Sequence, residues 1–225
     1  MNNYQDTVNK VVGNLLPNIL ESKSLHQLAL ETKLSYVTVH KIIPTLIKKG
    51  IIKVEKKGKA HLISIDLEQA PVDDLSSAMV YQRGLILKKY PKLILLLRDL
   101  EEALADKFYT LLFFGSKIKG TAKSSSDFDL FFIIPKREEI EDYHKTINKV
   151  LRLHTIKLDI NIAAIDEFME MLNQKYTVGR AVFQKNLVLF GTEQYYALVK
   201  KYVRTSGYWT SKEVIQGMGF KTCLA

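Results

Sequence analysis

Cysteine is almost absent: the 225 residues include one, Cys223, close to the C-terminus. That excludes a disulfide framework or a cysteine zinc cluster and fits a reducing compartment. Five histidines (His26, His40, His61, His144 and His154) show no paired metal spacing, so each reads as a surface or core residue. Long apolar runs are missing too. The stretch LILLL at 93–97 falls far short of a membrane span. The opening MNNYQDTVNK lacks the basic-then-apolar layout of a secretory leader. Internal repeats and low-complexity tracts are absent. These gaps predict a cytoplasmic protein with no membrane partner.

Hydrophobic residues make up 47% and charged residues 25%, enough apolar surface to bury a real core. The net charge of +9 is uneven. Residues 1–66 carry ten lysines against five acids, whereas residues 67–200 are nearly balanced, with 19 bases and 18 acids. A basic N-terminal module beside a neutral body predicts a nucleic-acid binder joined to something else.

Residues 4–21 place Val8, Val11, Val12, Leu15, Leu16, Ile19 and Leu20 at helical spacing. Ser24 can cap a second helix, and Ser35 a third that ends at Gly50. IIKVE and HLISID then read as strands around the turn KKGKA. Pro44 lies inside the third helix, where it removes a backbone hydrogen bond, so that helix is expected to kink or to begin later. Residues 1–67 are assigned to this module, 68–84 to a linker on their acidity, Pro71 and weak periodicity, and 204–225 to a C-terminal tail. Tyr208 and Trp209 of the tail are expected to dock on the core. Between linker and tail, 85–203 form the larger domain. Residues 78–106 read as helical, with Pro91 breaking or starting a segment, and Leu93, Leu96, Leu97, Leu100 and Leu104 share one helical stripe.

The chemistry lies in FYTLLFFGSKIKGTAKSSSDFDLFFIIP, residues 108–135. An apolar strand stops at Gly115–Ser116. After ten intervening residues, Asp127-Phe128-Asp129 heads a second apolar strand. Strand alternation puts both aspartates on one face. Two carboxylates converging in an apolar strand invite a divalent cation. LHTIKLDINIAAI, residues 153–165, alternates as a third strand with Lys157, Asp159 and Asn161 on one side, so Asp159 joins the pair if the strands are neighbours. Three carboxylates suit two Mg²⁺ ions that also take phosphate oxygens. Gly115 permits close backbone approach to a phosphate, and the Ser116 hydroxyl with the following amides can hold a triphosphate. Lys117, Lys119 and Lys123 add charge. Arg180 reads as a structural ion pair or a phosphate contact.

GSKIKGTAKSSSDFDL resembles the nucleotidyltransferase signature of the DNA polymerase beta superfamily, most like its minimal and antibiotic nucleotidyltransferase branch. Lys119–Gly120 and Ser126 match positions that branch commonly fills with a basic residue plus Gly and with Ser. The resemblance implies Mg²⁺, a nucleoside triphosphate (ATP among them) and transfer of a nucleoside monophosphate to a hydroxyl. By it, Asp127, Asp129 and Asp159 are catalytic and metal-binding, and Gly115, Ser116, Lys119 and Ser126 are nucleotide-binding. The stretch LHQLALETKLSYVTVHKIIPTLIKKGIIKVEKKGKAHLISI resembles the winged helix-turn-helix of prokaryotic regulators. That implies DNA contacts from Ser35, Tyr36, Thr38, Val39 and Lys41, with Lys56, Lys57 and Lys59 at phosphates. The expected fold is α+β: an N-terminal winged helix-turn-helix, then a nucleotidyltransferase-type mixed β-sheet flanked by helices.

Two functional readings remain open. One is an Mg²⁺-dependent transferase acting on a hydroxyl of a protein, nucleic acid or small molecule. The other is a DNA-binding regulator whose nucleotidyltransferase-like domain senses nucleotide or acts with a protein partner in a toxin–antitoxin-like pair. The wing lysines also suit a solvated face on a protein-docking module.

Overall fold

The computed structural model describes residues 3–58, 60–123 and 126–206. It is mixed α+β, and the described residues divide into two compact units, one of residues up to 78 with 193–206, the other of residues 79–192.

The first unit opens with α1 (Asn3–Leu15), continued by a 3₁₀ turn at Leu16–Asn18 where Pro17 ends α-helical bonding. Its apolar residues Val8, Val11, Val12, Leu15, Leu16 and Ile19 are all buried. Ser24 caps α2 (Leu25–Thr32) through a reciprocal box with Gln27, and Ser35 caps α3 (Tyr36–Lys48) by accepting from the Thr38 amide. The third helix runs through Pro44, which is exposed, and Gly50 closes its end at φ +68°. Strands β2 (Ile52–Lys57) and β3 (Ala60–Ile65) pair antiparallel. A two-residue strand, β1 (Lys23–Ser24), adds to the other side of β3, which the sequence pattern had not shown. Burial of Lys23 is made tolerable by its partners. Its ammonium donates to Asn14 O (3.1 Å), Asn14 Oδ1 (3.0 Å) and Glu31 Oε2 (2.7 Å).

Helix α4 (Val72–Leu87) occupies most of the stretch expected as a linker. Asp73 and Asp74 make its first turn acidic, and the helix starts six residues before Ala78, where the sequence begins to read as helical. The boundaries at 67 and 203 also differ from those of the compact units. Residues 193–206 group with the first unit, where Lys200 donates to Ala70 O and Arg204 to Glu68 O. Tyr208, Trp209 and Cys223 lie outside the described residues.

The second unit contains α5 (Pro91–Ala103), β4 (Thr110–Phe114), α6 (Gly115–Lys119), β5 (Phe128–Ile134), α7 (Ile140–Leu151), β6 (Leu158–Ala164), α8 (Ile165–Asn173), α9 (Val178–Gln184) and β7 (Leu187–Phe190). The last helix among the described residues, α10 (Thr192–Ser206), returns to the first unit. Pro91 starts α5 at a first-turn position, where its missing N–H costs nothing, and the expected leucine stripe is buried. The sheet order is β6-β5-β4-β7; β5 and β6 are parallel, and both other pairings are antiparallel. The crossover through α7 makes that parallel pair possible.

Alternation assigns Phe128, Leu130 and Phe132 to one face and Asp129, Phe131 and Ile133 to the other. On the first face, Tyr90 meets Phe128 and Phe113 edge-on, with centroids 5.4 and 5.8 Å away. On the second, Phe131 packs against Phe114 (6.4 Å) and against Phe168 of α8 (5.8 Å). Truncating such a buried phenylalanine typically costs about 3–5 kcal/mol. This packing fixes the strand ends that hold the carboxylates. His154, expected within the third strand, instead precedes it and hydrogen-bonds Asp99 at 2.8 Å.

Candidate active site

The C-terminal end of β4 and the N-terminal ends of β5 and β6 meet at one edge of the sheet. Phe114 is opposite Asp129 across the antiparallel pair, and Asp129 is opposite Asp159 across the parallel pair. Neighbouring strands run about 4.8 Å apart, and partners in register point to the same face, so two carboxylates project side by side. Asp127 immediately precedes β5 and is exposed, as is Asp159 on the edge strand; Asp129 is partly covered. Like charges directly opposite one another destabilise a sheet. The arrangement is therefore a local cost to the fold.

Gly115 explains how Asp129 fits. Its φ is +76°, and a Cβ built there would lie 1.8 Å from Asp129 Oδ2. Any other residue would collide with the carboxylate and strain the backbone as well. The turn then presents the Ser116 amide, which donates to the Asp129 carboxylate. Burial pushes the Asp129 pKa above the ordinary carboxylate value, and the charge of Asp159 adds to that, with a smaller contribution from Asp127. The Ser116 amide and the Lys117 charge oppose the shift without cancelling it.

The chemistry of these donors fits a hard divalent cation: oxygen ligands, excess negative charge and a partly desolvated carboxylate. Among the described residues, no three His, Cys, Asp or Glu side chains stand together closely enough to hold one ion. The shared register and the mutual electrostatic influence place the acids at one edge, without ligand geometry.

The other sequence-identified residues fall as follows. The Ser116 amide points to Asp129 rather than into open space, so it is the hydroxyl that remains for an anion. Lys117 holds its ammonium 4.4 Å from the Phe128 ring centroid, close enough to influence Asp129. Lys119 ends α6 and is exposed, followed by Gly120 at φ +78°. Ser126 folds the loop on itself: its Oγ accepts from the Lys123 amide at 2.9 Å, and its amide donates to Lys123 O. Ser124 and Ser125 lie outside the described residues. Arg180 donates to Leu172 O at 3.2 Å, a tie to the end of α8. Sequence reading missed the edge-on contact of Tyr90 with Phe128, because nothing local links positions so far apart.

In the first unit, Ser35 Oγ accepts from the Thr38 amide and pairs with the Thr38 hydroxyl. Tyr36 and Lys41 are exposed on α3, and the Tyr36 ring stacks on His40 at 6.2 Å. Val39 is fully buried, so it faces the core and Val37 takes the outer face. Two residues along a helix turn the side chain by about 200°, to nearly the opposite face. Lys56 and Lys57 are exposed near the β2–β3 turn; Lys59 lies outside the described residues.

No helix among the described residues is long and apolar enough to cross a membrane. No curated protein and no solved structure matches the chain. Residues 97–188 match the family model described as Nucleotidyltransferase domain. That stretch runs from within α5 into β7 and includes Gly115, Ser116, Asp127, Asp129 and Asp159. The region that holds the carboxylates is thus similar to the nucleotidyltransferase domain family.

Proposed function

We propose that the second unit transfers a nucleoside monophosphate from a nucleoside triphosphate to an acceptor hydroxyl, with pyrophosphate leaving. The observation that carries this reading is the side-by-side placement of Asp129 and Asp159 beside Gly115. Such a pair destabilises the strand ends unless positive charge arrives. Two Mg²⁺ ions held by Asp127, Asp129 and Asp159 would supply that charge to the triphosphate and the leaving pyrophosphate. The Ser116 hydroxyl, with Lys117 and Lys119, orients the anionic phosphates. Asp159, on the open edge strand, faces the acceptor and takes its proton. Asp129 is held in place by the Ser116 amide. Incubation with Mg²⁺ and α-labelled triphosphates across protein, nucleic-acid and small-molecule acceptor pools tests it. Label should move to an acceptor, and Asp129→Ala should stop it; label movement that survives Asp129→Ala defeats this reading.

A second reading is favoured by one feature. The Ser35-capped helix with exposed Tyr36 and Lys41, followed by a lysine-bearing hairpin, has the order of a winged helix-turn-helix. In this reading the first unit binds DNA, and the chain is a regulator whose second unit senses nucleotide. A gel shift on the upstream DNA at low salt, where phosphate contacts are strongest, decides it: absence of binding there rejects it.

A further inference from the structure

Tyr176 has no use in the site as described, yet it is unusual twice over. It is a non-glycine residue at φ +64°, and its side chain is 100% exposed. A bulky residue in the left-handed region is strained, and such strain persists only where surrounding contacts fix it. Those contacts are present. Thr177 Oγ1 donates to Met171 O (2.7 Å) and accepts from the Arg180 amide (3.2 Å), while the Arg180 guanidinium donates to Leu172 O. Gly179 lets α9 press against α8 so closely that a Cβ there would lie 2.7 Å from Met171 Cβ. The loop between α8 and α9 is therefore clamped on both sides, and its aromatic ring is held out in solvent.

The fold tells which way it is held. Helix α8 follows β6 at the sheet end opposite the carboxylates, and its Phe168 packs on Phe131, on the face that carries Asp129. From Phe131 back to Asp129 is two strand residues, about 6.6 Å. From Phe168 on to buried Leu172 is four helical residues, about 6 Å. Leu172 thus comes level with the carboxylates, and Tyr176 follows just past that edge. A solvated aromatic face beside a phosphate-handling edge matches one chemistry: the π-surface of a nucleobase.

We infer that Tyr176 is a stacking platform for a nucleobase at the mouth of the carboxylate site. This rests on the nucleotidyl-transfer reading above. The base belongs either to the nucleoside triphosphate or to a single-stranded nucleic-acid acceptor, and binding measurements separate the two.

Calorimetry on the full chain with Mg²⁺ would compare a nonhydrolysable nucleoside triphosphate, inorganic tripolyphosphate and a short single-stranded oligonucleotide. Tyr176→Ala is expected to weaken one base-bearing ligand roughly tenfold and to leave tripolyphosphate unchanged. Tyr176→Phe, which keeps the ring, should bind like wild type. All three side chains meet a similar backbone penalty at this φ, so folding is comparable. The ligand that weakens identifies the source of the base. Wild-type affinity of Tyr176→Ala for both base-bearing ligands, or a matching loss of tripolyphosphate, overturns the platform and leaves the transfer reading standing. Failure of wild type to bind any of the three overturns both.

Discussion

Two charged sites in this chain are built on opposite principles. In the first unit the buried ammonium of Lys23 is met by three oxygens, one of them the carboxylate of Glu31. In the second, Asp129 is met by the charges of Asp159 and Asp127, and one backbone amide and Lys117 only partly compensate. Paired charge of the first kind holds structure together. Like charge gathered at a strand edge costs stability, and it persists where binding an ion or substrate requires it. The contrast between the two sites is the ground for proposing that function lies at the second.

Substitutions can break or sharpen that contrast. The largest effect is expected from Asp129→Ala: nucleotidyl transfer should fall by about a thousandfold or more, the scale of losing several kcal/mol of transition-state stabilisation. Its melting temperature should stay level or rise, since a repulsion has gone. A radiolabel transfer assay beside a thermal melt checks both parts. Gly115→Ala adds a methyl group where Asp129 Oδ2 lies and an alanine at φ +76°. It should cost roughly 1–3 kcal/mol in denaturant unfolding and also reduce transfer. Lys23→Ala should behave in the reverse sense to Asp129→Ala. It leaves Asn14 and Glu31 without their partner, destabilises by about 1–3 kcal/mol, and leaves transfer per folded molecule unchanged. The smallest effect belongs to Lys56→Ala or Lys57→Ala. If the first unit binds DNA, each should lower the slope of log affinity against log salt by about 1, uniformly across sequences.

Much of this contrast was legible in the sequence, for local reasons. Ser24 and Ser35 announce helix starts because capping is satisfied within three residues. Gly115, Ser116, Asp127 and Asp129 stand out because one turn and one strand head carry them. Asp159 needed the parallel pairing of β5 with β6, a non-local fact that strand alternation alone suggests but does not dictate. Strand β1 is only Lys23–Ser24 and exists through its bonds to β3, so no local pattern marks it. Helix α4 was legible from Ala78 onward, but its start at Val72 was not, because Asp73 and Asp74 make its first turn resemble a loop. The placement of Val39 inside and Val37 outside depends on helix phase, which a list of exposed candidates ignores. Tyr176 could not be read at all: its backbone angle and exposure come from the clamp made by Thr177, Gly179 and Arg180.

The central claim is that the Asp129 edge gathers negative charge to receive a divalent cation. Thermal unfolding with Mg²⁺ titrated into wild type and Asp129→Ala tests it most directly. Wild type should gain stability with added ion, about 2.7 kcal/mol at a hundred times the dissociation constant. Asp129→Ala should gain far less. An equal response in the two proteins, or none in wild type, would contradict the account.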